Sequence, residues 1–368
     1  MRERRRAVRS EEGEQPVQVG DDALERVDAV AGGAVEVEWA RLVHAGAAAL
    51  EPRSERRRPG PGSIDSLLGD FRRAGSFRTL LTTALAGDWV AAQSAAAAAE
   101  DRLFALADGD RWYIVLDDAA SLLGPTVVLS PAAKRDLIVE APHPVIDRYT
   151  VPQTAVLLSE LGARAGIFAG AHRCAATAES SCSGKTKVCK DYGKAPYRDS
   201  DVAHNPNTLF HVAHEILVAH WPQAVAFSIH GFNKAKSAPD TWAVISDGGR
   251  EEGGNADALT RRLRDALRET LGEGDARAVA CDDSDDRRFG FQRLCAATNV
   301  QGRHLNGSDD LCRQSVARGS GRFIHIEQTL ELRDDYEFGW RAPRDSARIR
   351  AMLDAVARAV PCLEGRCP

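Results

Sequence analysis

The sequence lacks several of the signatures that would place it at once. No apolar run approaches the ~20 residues that a membrane helix needs, so no helical span is expected. The eight cysteines form no C-x-x-C pair, which argues against a cysteine-only metal site or a thioredoxin-like motif. No G-x-S-x-G elbow is present to seat a serine nucleophile. Aromatic residues amount to only 6%, and the net charge of −5 mixes both signs, which disfavours an extended nucleic-acid surface. MRERRRAVRS has the charge of a secretory n-region, but no apolar h-region follows it. The later FRRAGSFRTLLTTALAG runs into Asp88 and Trp89 and continues as a helix pattern.

What is present suits a soluble globular protein. The 368 residues are 43% apolar and 27% charged, enough for one large catalytic domain with extra segments or for two domains. The even cysteine count, with Cys182 and Cys189 flanking a polar loop and Cys362 and Cys367 bracketing the tail, fits disulfides. That implies an extracellular or periplasmic compartment; reduced thiols in a cytoplasmic enzyme are the alternative. The pairing is not legible in the sequence.

Three regions are expected. Residues 1–62, ending in EPRSERRRPGPG, hold too few apolar side chains for a core and read as a disordered charged tail. Over 63–107 Leu67, Leu68, Phe71, Phe77, Leu80, Leu81 and Leu85 recur at helical spacing, and AAQSAAAAAEDRLFAL has high helix propensity. Two helices forming a lid or flank are expected there. From 108 to 368 strands such as WYIVL, PTVVLS, DLIVEA, AGIFAG, AVAFSIHGF, TWAVIS, ARAVAC and RFIHIEQ alternate with helical stretches. This alternation predicts an α/β fold, a mixed and mostly parallel sheet with helices on both faces. In such sheets the site lies at the carboxyl ends of the strands.

Three strands carry residues that are costly to bury. DLIVEA is followed by His143 between two prolines, then Asp147. In AVAFSIHGF, Ser228 and His230 share one face, and in RFIHIEQ so do Phe323, His325 and Glu327. An ionised glutamate in an apolar strand costs several kcal/mol unless paired or liganded. Two imidazoles and a carboxylate make a tetrahedral zinc site with one position left for water, and a further carboxylate can act as general base. For the carboxylate ligand Glu140 rivals Asp147. Asp147, beyond Pro144, is the better placed to fold back from a loop.

HVAHEILVAH does not match H-E-x-x-H, because after His214-Glu215 the next histidine is His220. Its apolar stripe leaves His211, His214 and Glu215 on the polar side, so they are expected at the surface. SGKT (183–186) lacks the first glycine of a P-loop, where Glu179 stands.

These motifs resemble the N-formylglutamate amidohydrolase group and its poly-γ-glutamate hydrolase relatives, with a zinc carboxypeptidase-like fold. The correspondence runs from about Asp136 to Asp335 and rests on scattered motifs. PHPVID is similar to the family's first zinc motif, HGF (230–232) to its later histidine ligand, and FIHIEQTLELR to the strand bearing its general base. The resemblance thus implies one zinc ion on His143, Asp147 and His230, with Glu327 as base. TNVQGRHLNG is similar to a substrate loop, implying roles for Asn299 and Arg303, although Arg303 stands for an expected glycine. SDVAHN sits where relatives carry a substrate-contacting Asp-x-Asn-Arg, which points to Asn205, with His204-Asn205 departing from the pattern. Arg173 and Arg303 are the available cations for an oxyanion or a substrate carboxylate. The implied activity is zinc-dependent hydrolysis of an amide in a peptide, a γ-glutamyl chain or an N-acyl amino acid. The implied substrate carries an acidic group, and neither a nucleic-acid partner nor a membrane span is expected. A non-catalytic protein of the same fold, binding a peptide or cell-envelope polymer, is the alternative; the oligomeric state stays open.

Overall fold

The computed structural model describes residues 61–67, 71–108, 111–118, 123–189, 193–233, 241–251, 258–271, 278–287, 292–341, 345–364 and 366–367. The tail expected over 1–62 lies, except for its last two residues, outside them.

Two helices come first, α1 (Ala74–Leu85) and α2 (Trp89–Ala99), the second capped by Asp88, whose carboxylate accepts from the Ala91 amide. The helical pattern expected through Ala107 ends sooner. Glu100 adopts a left-handed conformation (φ 58°) and DRLFALAD becomes strand β1 (Asp101–Asp108). Alternation decides the matter: Phe104 and Leu106 enter one core and Ala105 the other, while β1 pairs along its whole length with β2 (Arg111–Asp118).

The chain continues through β3 (Thr126–Leu129), β4 (Arg135–Ala141), α3 (Thr150–Leu161) and β5 (Ala163–Phe168). A small ribbon, β6 (Lys185–Thr186) with β7 (Ala195–Pro196), occupies the SGKT region, so no strand-to-helix phosphate loop forms there. Then follow α4 (Leu209–His220), β8 (Val225–Gly231), β9 (Ala243–Ser246), α5 (Leu259–Leu271), β10 (Ala278–Ala280), α6 (Val300–Leu305), β11 (Phe323–Gln328) and α7 (Ala347–Ala359).

Nine strands form one mixed sheet in the order β1-β2-β3-β5-β4-β8-β11-β9-β10. Its centre, β5-β4-β8-β11, is parallel, while β1 to β3 make an antiparallel edge and β9 runs against β11. Helices α3, α5 and α7 cover one face through Val151, Leu157, Leu263, Met352 and Val356. Helices α1, α2 and α4 cover the other through Phe77, Leu80, Ala92, Phe210 and Leu217, so the N-terminal pair flanks the sheet. Strand parity sorts the central side chains. Val139, Phe227, Ile229, Ile324 and Ile326 enter the first core, and Ile138, Ala226 and Phe323 the second.

Four disulfides join Cys174 to Cys189, Cys182 to Cys312, Cys281 to Cys295 and Cys362 to Cys367. Cys182 and Cys189 therefore take different partners. No helix among the described residues is long and apolar enough to cross a membrane.

Candidate metal centre

The parallel register at the sheet centre brings the polar residues to one edge. Glu327 on β11 lies opposite His230 on β8, and β4 ends beside them at Ala141. Beyond β4 the chain turns sharply. Val145 is held at φ 72°, a conformation unfavourable for a β-branched residue, and the Asp147 amide donates to the His143 carbonyl at 3.1 Å. This turn folds Asp147 back beside the imidazole four residues before it.

Three donor atoms converge there. His143 Nδ1 is 3.0 Å from His230 Nδ1 and 3.4 Å from Asp147 Oδ2, and His230 Nδ1 is 3.6 Å from the same oxygen. Ligands bonded at ~2.0–2.1 Å to a tetrahedral ion are about 3.3 Å apart, so the triangle has the size of a zinc site. The far ring nitrogens are engaged as such a site requires. His143 Nε2 is 2.8 Å from Asp201 Oδ1, and His230 Nε2 is 3.0 Å from Ser228 Oγ. A carboxylate only accepts, so Asp201 fixes the proton on His143 Nε2 and leaves the Nδ1 lone pair facing its neighbours. In the metal-free protein that lone pair faces His230 Nδ1 at 3.0 Å and Arg173 Nη1 at 3.3 Å.

Glu140, the rival carboxylate, points elsewhere. Its Oε1 pairs with His214 Nδ1 at 2.6 Å on the α4 side of β4. Two other groupings share residues with the centre. In one, Asp201 links His143 to His204 through hydrogen bonds of 2.8 and 3.0 Å, which leaves its Oδ1 committed. In the other, His325 and Glu327 join His230, but His325 Nε2 stands 3.8 Å from Glu327 Oε1.

Electrostatics distinguish the carboxyls. Burial works to raise Asp147, but the His143 and His230 imidazoles beside it outweigh burial and hold the group ionised, far below the usual range. Burial, with the Asp147 charge added to it, pushes Glu327 up to about 8. Its Oε2 is buried without a hydrogen-bond partner. Burial lowers His230 to about 4, so it is neutral at pH 7. His143 is raised: Asp201 and Asp147 outweigh burial and the Arg173 charge.

The cations sit close by. Arg173 gives Asp201 Oδ2 two bonds, from Nε at 3.1 Å and Nη2 at 2.6 Å, and its Nη1 lies 3.3 Å from His143 Nδ1. Arg333, in a single helical turn after β11, interacts electrostatically with Asp147 and Glu327. Gly231 gives it room, because a Cβ there would stand 2.3 Å from Arg333 Nη2. The sequence patterns singled out neither Asp201 nor Arg333.

The remaining candidates are engaged elsewhere. Asn205 donates to the Asp199 carbonyl at 2.7 Å, and Asn299 caps α6 by accepting from the Gly302 amide at 2.9 Å. Arg303 donates to the Ala297 and Leu311 carbonyls and to Ser315 Oγ. The surface placement expected for His211 and His214 is corrected: both are buried. Helices α1 and α6 pack against α4, which adds burial that the α4 stripe alone does not reveal.

No family model matches the chain, and no curated protein matches it. Two solved structures are similar to it. An N-formylglutamate amidohydrolase from Ralstonia eutropha JMP134 shares 12% identity at a TM-score of 0.33, covering 64% of this chain and 96% of its own. A protein from Burkholderia mallei ATCC 23344, provisionally described as a carboxypeptidase, shares 13% at a TM-score of 0.31, covering 64% of this chain and 59% of its own.

Proposed function

We propose that the protein is a zinc-dependent hydrolase of amide bonds, with His143, Asp147 and His230 as ligands and Glu327 as general base. The observation that carries this reading is the triangle of His143 Nδ1, His230 Nδ1 and Asp147 Oδ2, with edges of 3.0, 3.4 and 3.6 Å. A zinc ion held there supplies a Lewis acid that polarises a carbonyl and acidifies water. Every other part of the reaction falls to the chain itself. Glu327, with its unpartnered Oε2, takes a proton from the attacking water and hands it to the leaving amine. In the metal-free protein Glu327 is pushed up to about 8, and a dication bound beside it would draw it back toward the range a general base needs.

Arg173 acts through Asp201 as a positioning group, since its Nε and Nη2 are spent on that carboxylate. Arg333 is the cation beside Asp147 and Glu327, and it suits an oxyanion or an acidic substrate group. The substrate class is an amide bearing such a group: a peptide, a γ-glutamyl chain or an N-acyl amino acid. The four disulfides favour work in an extracellular or periplasmic compartment.

The test is a zinc-loaded activity screen over those three amide classes, repeated with Glu327→Gln. Wild-type turnover is expected, falling on the order of 10²–10⁴-fold in the variant while zinc stays bound. An active Glu327→Gln protein contradicts the assignment. No turnover in any class, with zinc bound, favours a non-catalytic binding protein on the same fold.

A further inference from the structure

The sheet face under α4 holds a second histidine cluster that the centre above does not use. His211 and His214 are 2% and 0% exposed, and the Nε2 of each has no hydrogen-bond partner. A buried polar atom left unmatched opposes folding, and such an atom asks for a ligand. His211 Nε2 stands 3.5 Å from Oε1 of Glu215, one turn further along α4. His304, on α6, sets its ring edge-on to both His211 and His214, with centroids 5.6 Å away in each case. One nitrogen each from His211 and His304 and one oxygen from Glu215 lie within 4.8 Å of one another.

The surroundings are arranged as they are around metal-binding imidazoles. Glu140 Oε1, 2.6 Å from His214 Nδ1, fixes the proton there and leaves the Nε2 lone pair free, the carboxylate–histidine pairing that orients metal ligands. Arg78 binds Oε2 of Glu215 at 2.5 Å, which leaves Oε1 to the histidines. The Gln301 amide nitrogen, a donor, faces His211 Nδ1 at 3.5 Å, so in the metal-free protein the His211 proton sits on Nε2 and would leave when a cation takes its place.

We propose that His211, Glu215 and His304 form a second divalent-metal site of the zinc type, with the His214 ring, held by Glu140, packed edge-on against His304 beside it. Two imidazoles and one carboxylate on facing helices supply three of the four donors of a tetrahedral ion and leave one position to water. The ion would tie α4 to α6, and through the Arg78–Glu215 pair to α1. This site is independent of the hydrolase reading.

The test is metal content. Full-length protein is stripped with chelator, reloaded with Zn²⁺, dialysed and analysed. Two equivalents are expected for wild type, and one each for His304→Ala, His211→Ala and the double variant His143→Ala/His230→Ala. Cobalt gives a second readout: the visible bands of Co²⁺ bound to the double variant should vanish when His304→Ala is added. His304 is partly exposed, so its variant keeps the test usable if His211→Ala fails to fold by circular dichroism. Wild-type stoichiometry in His304→Ala, or no metal in a folded double variant, overturns the proposal. A single wild-type equivalent lost with His304→Ala but kept in the double variant supports this site and counts against the catalytic centre instead.

Discussion

Asp201 holds three side chains at once: His143 through Oδ1, His204 through the same atom, and Arg173 through Oδ2. Burial opposes its charge, but Arg173, His204 and His143 together keep it ionised well below the usual range. Replacing it by asparagine keeps the shape and removes the charge that aims His143 Nδ1. Partners of this kind typically account for 10–100-fold in metal affinity, so Asp201→Asn should weaken zinc binding by about that factor in a competition titration. Unchanged affinity would mean that Asp201 does not orient the ligand. Glu327 provides a pH signature in the metal-free protein. Its carboxyl rises from an ordinary 4.5 to about 8 on folding, so the folded state holds a proton that the unfolded chain releases across that window. Stability from this group is complete below 4.5 and is lost as pH rises through 8. His230, lowered from 6.5 to about 4, acts oppositely but only between those values. Metal-free protein should therefore melt at lower temperature at pH 8 than at pH 6.5, and Glu327→Gln should flatten that difference. Neither Asp201 nor Arg333 could be picked out beforehand, because each sits in irregular or single-turn structure where no periodicity marks a role. Their importance comes from contacts across 58 residues in one case and from Gly231 opening space in the other.

At the scale of elements, the strands were the most legible part. β4, β8 and β11 read as β-branched runs with polar ends, and their parity sorts Ser228 and His230 from Phe227 and Ile229. β1 was hidden because DRLFAL follows an alanine-rich helix and is itself composed of good helix formers. Pairing with β2, a tertiary event, overrides that propensity. The burial of His211 and His214 was hidden for a related reason, since the α4 stripe describes one helix and not the helices that pack around it. Disulfide pairing also depends on tertiary approach. Cys182 and Cys312 are separated by 130 residues, and their bond ties the loop before β6 to the segment after α6. Closing a loop of that length restricts the unfolded chain, so Cys182→Ser/Cys312→Ser should cost about 2–4 kcal/mol in denaturant unfolding. A midpoint unchanged within error would indicate that the bond adds nothing to stability.

For the whole molecule, the sheet order explains why the polar residues gather at one end of it. Four parallel strands end together, and the turn at Val145 and the His230–Gly231 step bring His143, Asp147 and His230 side by side there. Helices α1, α2 and α4 cover the sheet face to which His230 and Glu327 belong by parity, and α4 adds a second polar cluster to it. The central claim is that His143, Asp147 and His230 hold a metal ion. The most direct measurement is an anomalous difference map from crystals of the zinc-loaded protein, recorded at the zinc edge. A peak is expected about 2.0–2.2 Å from His143 Nδ1, His230 Nδ1 and an Asp147 carboxylate oxygen. Zinc-saturated crystals with no peak among those three atoms would contradict it.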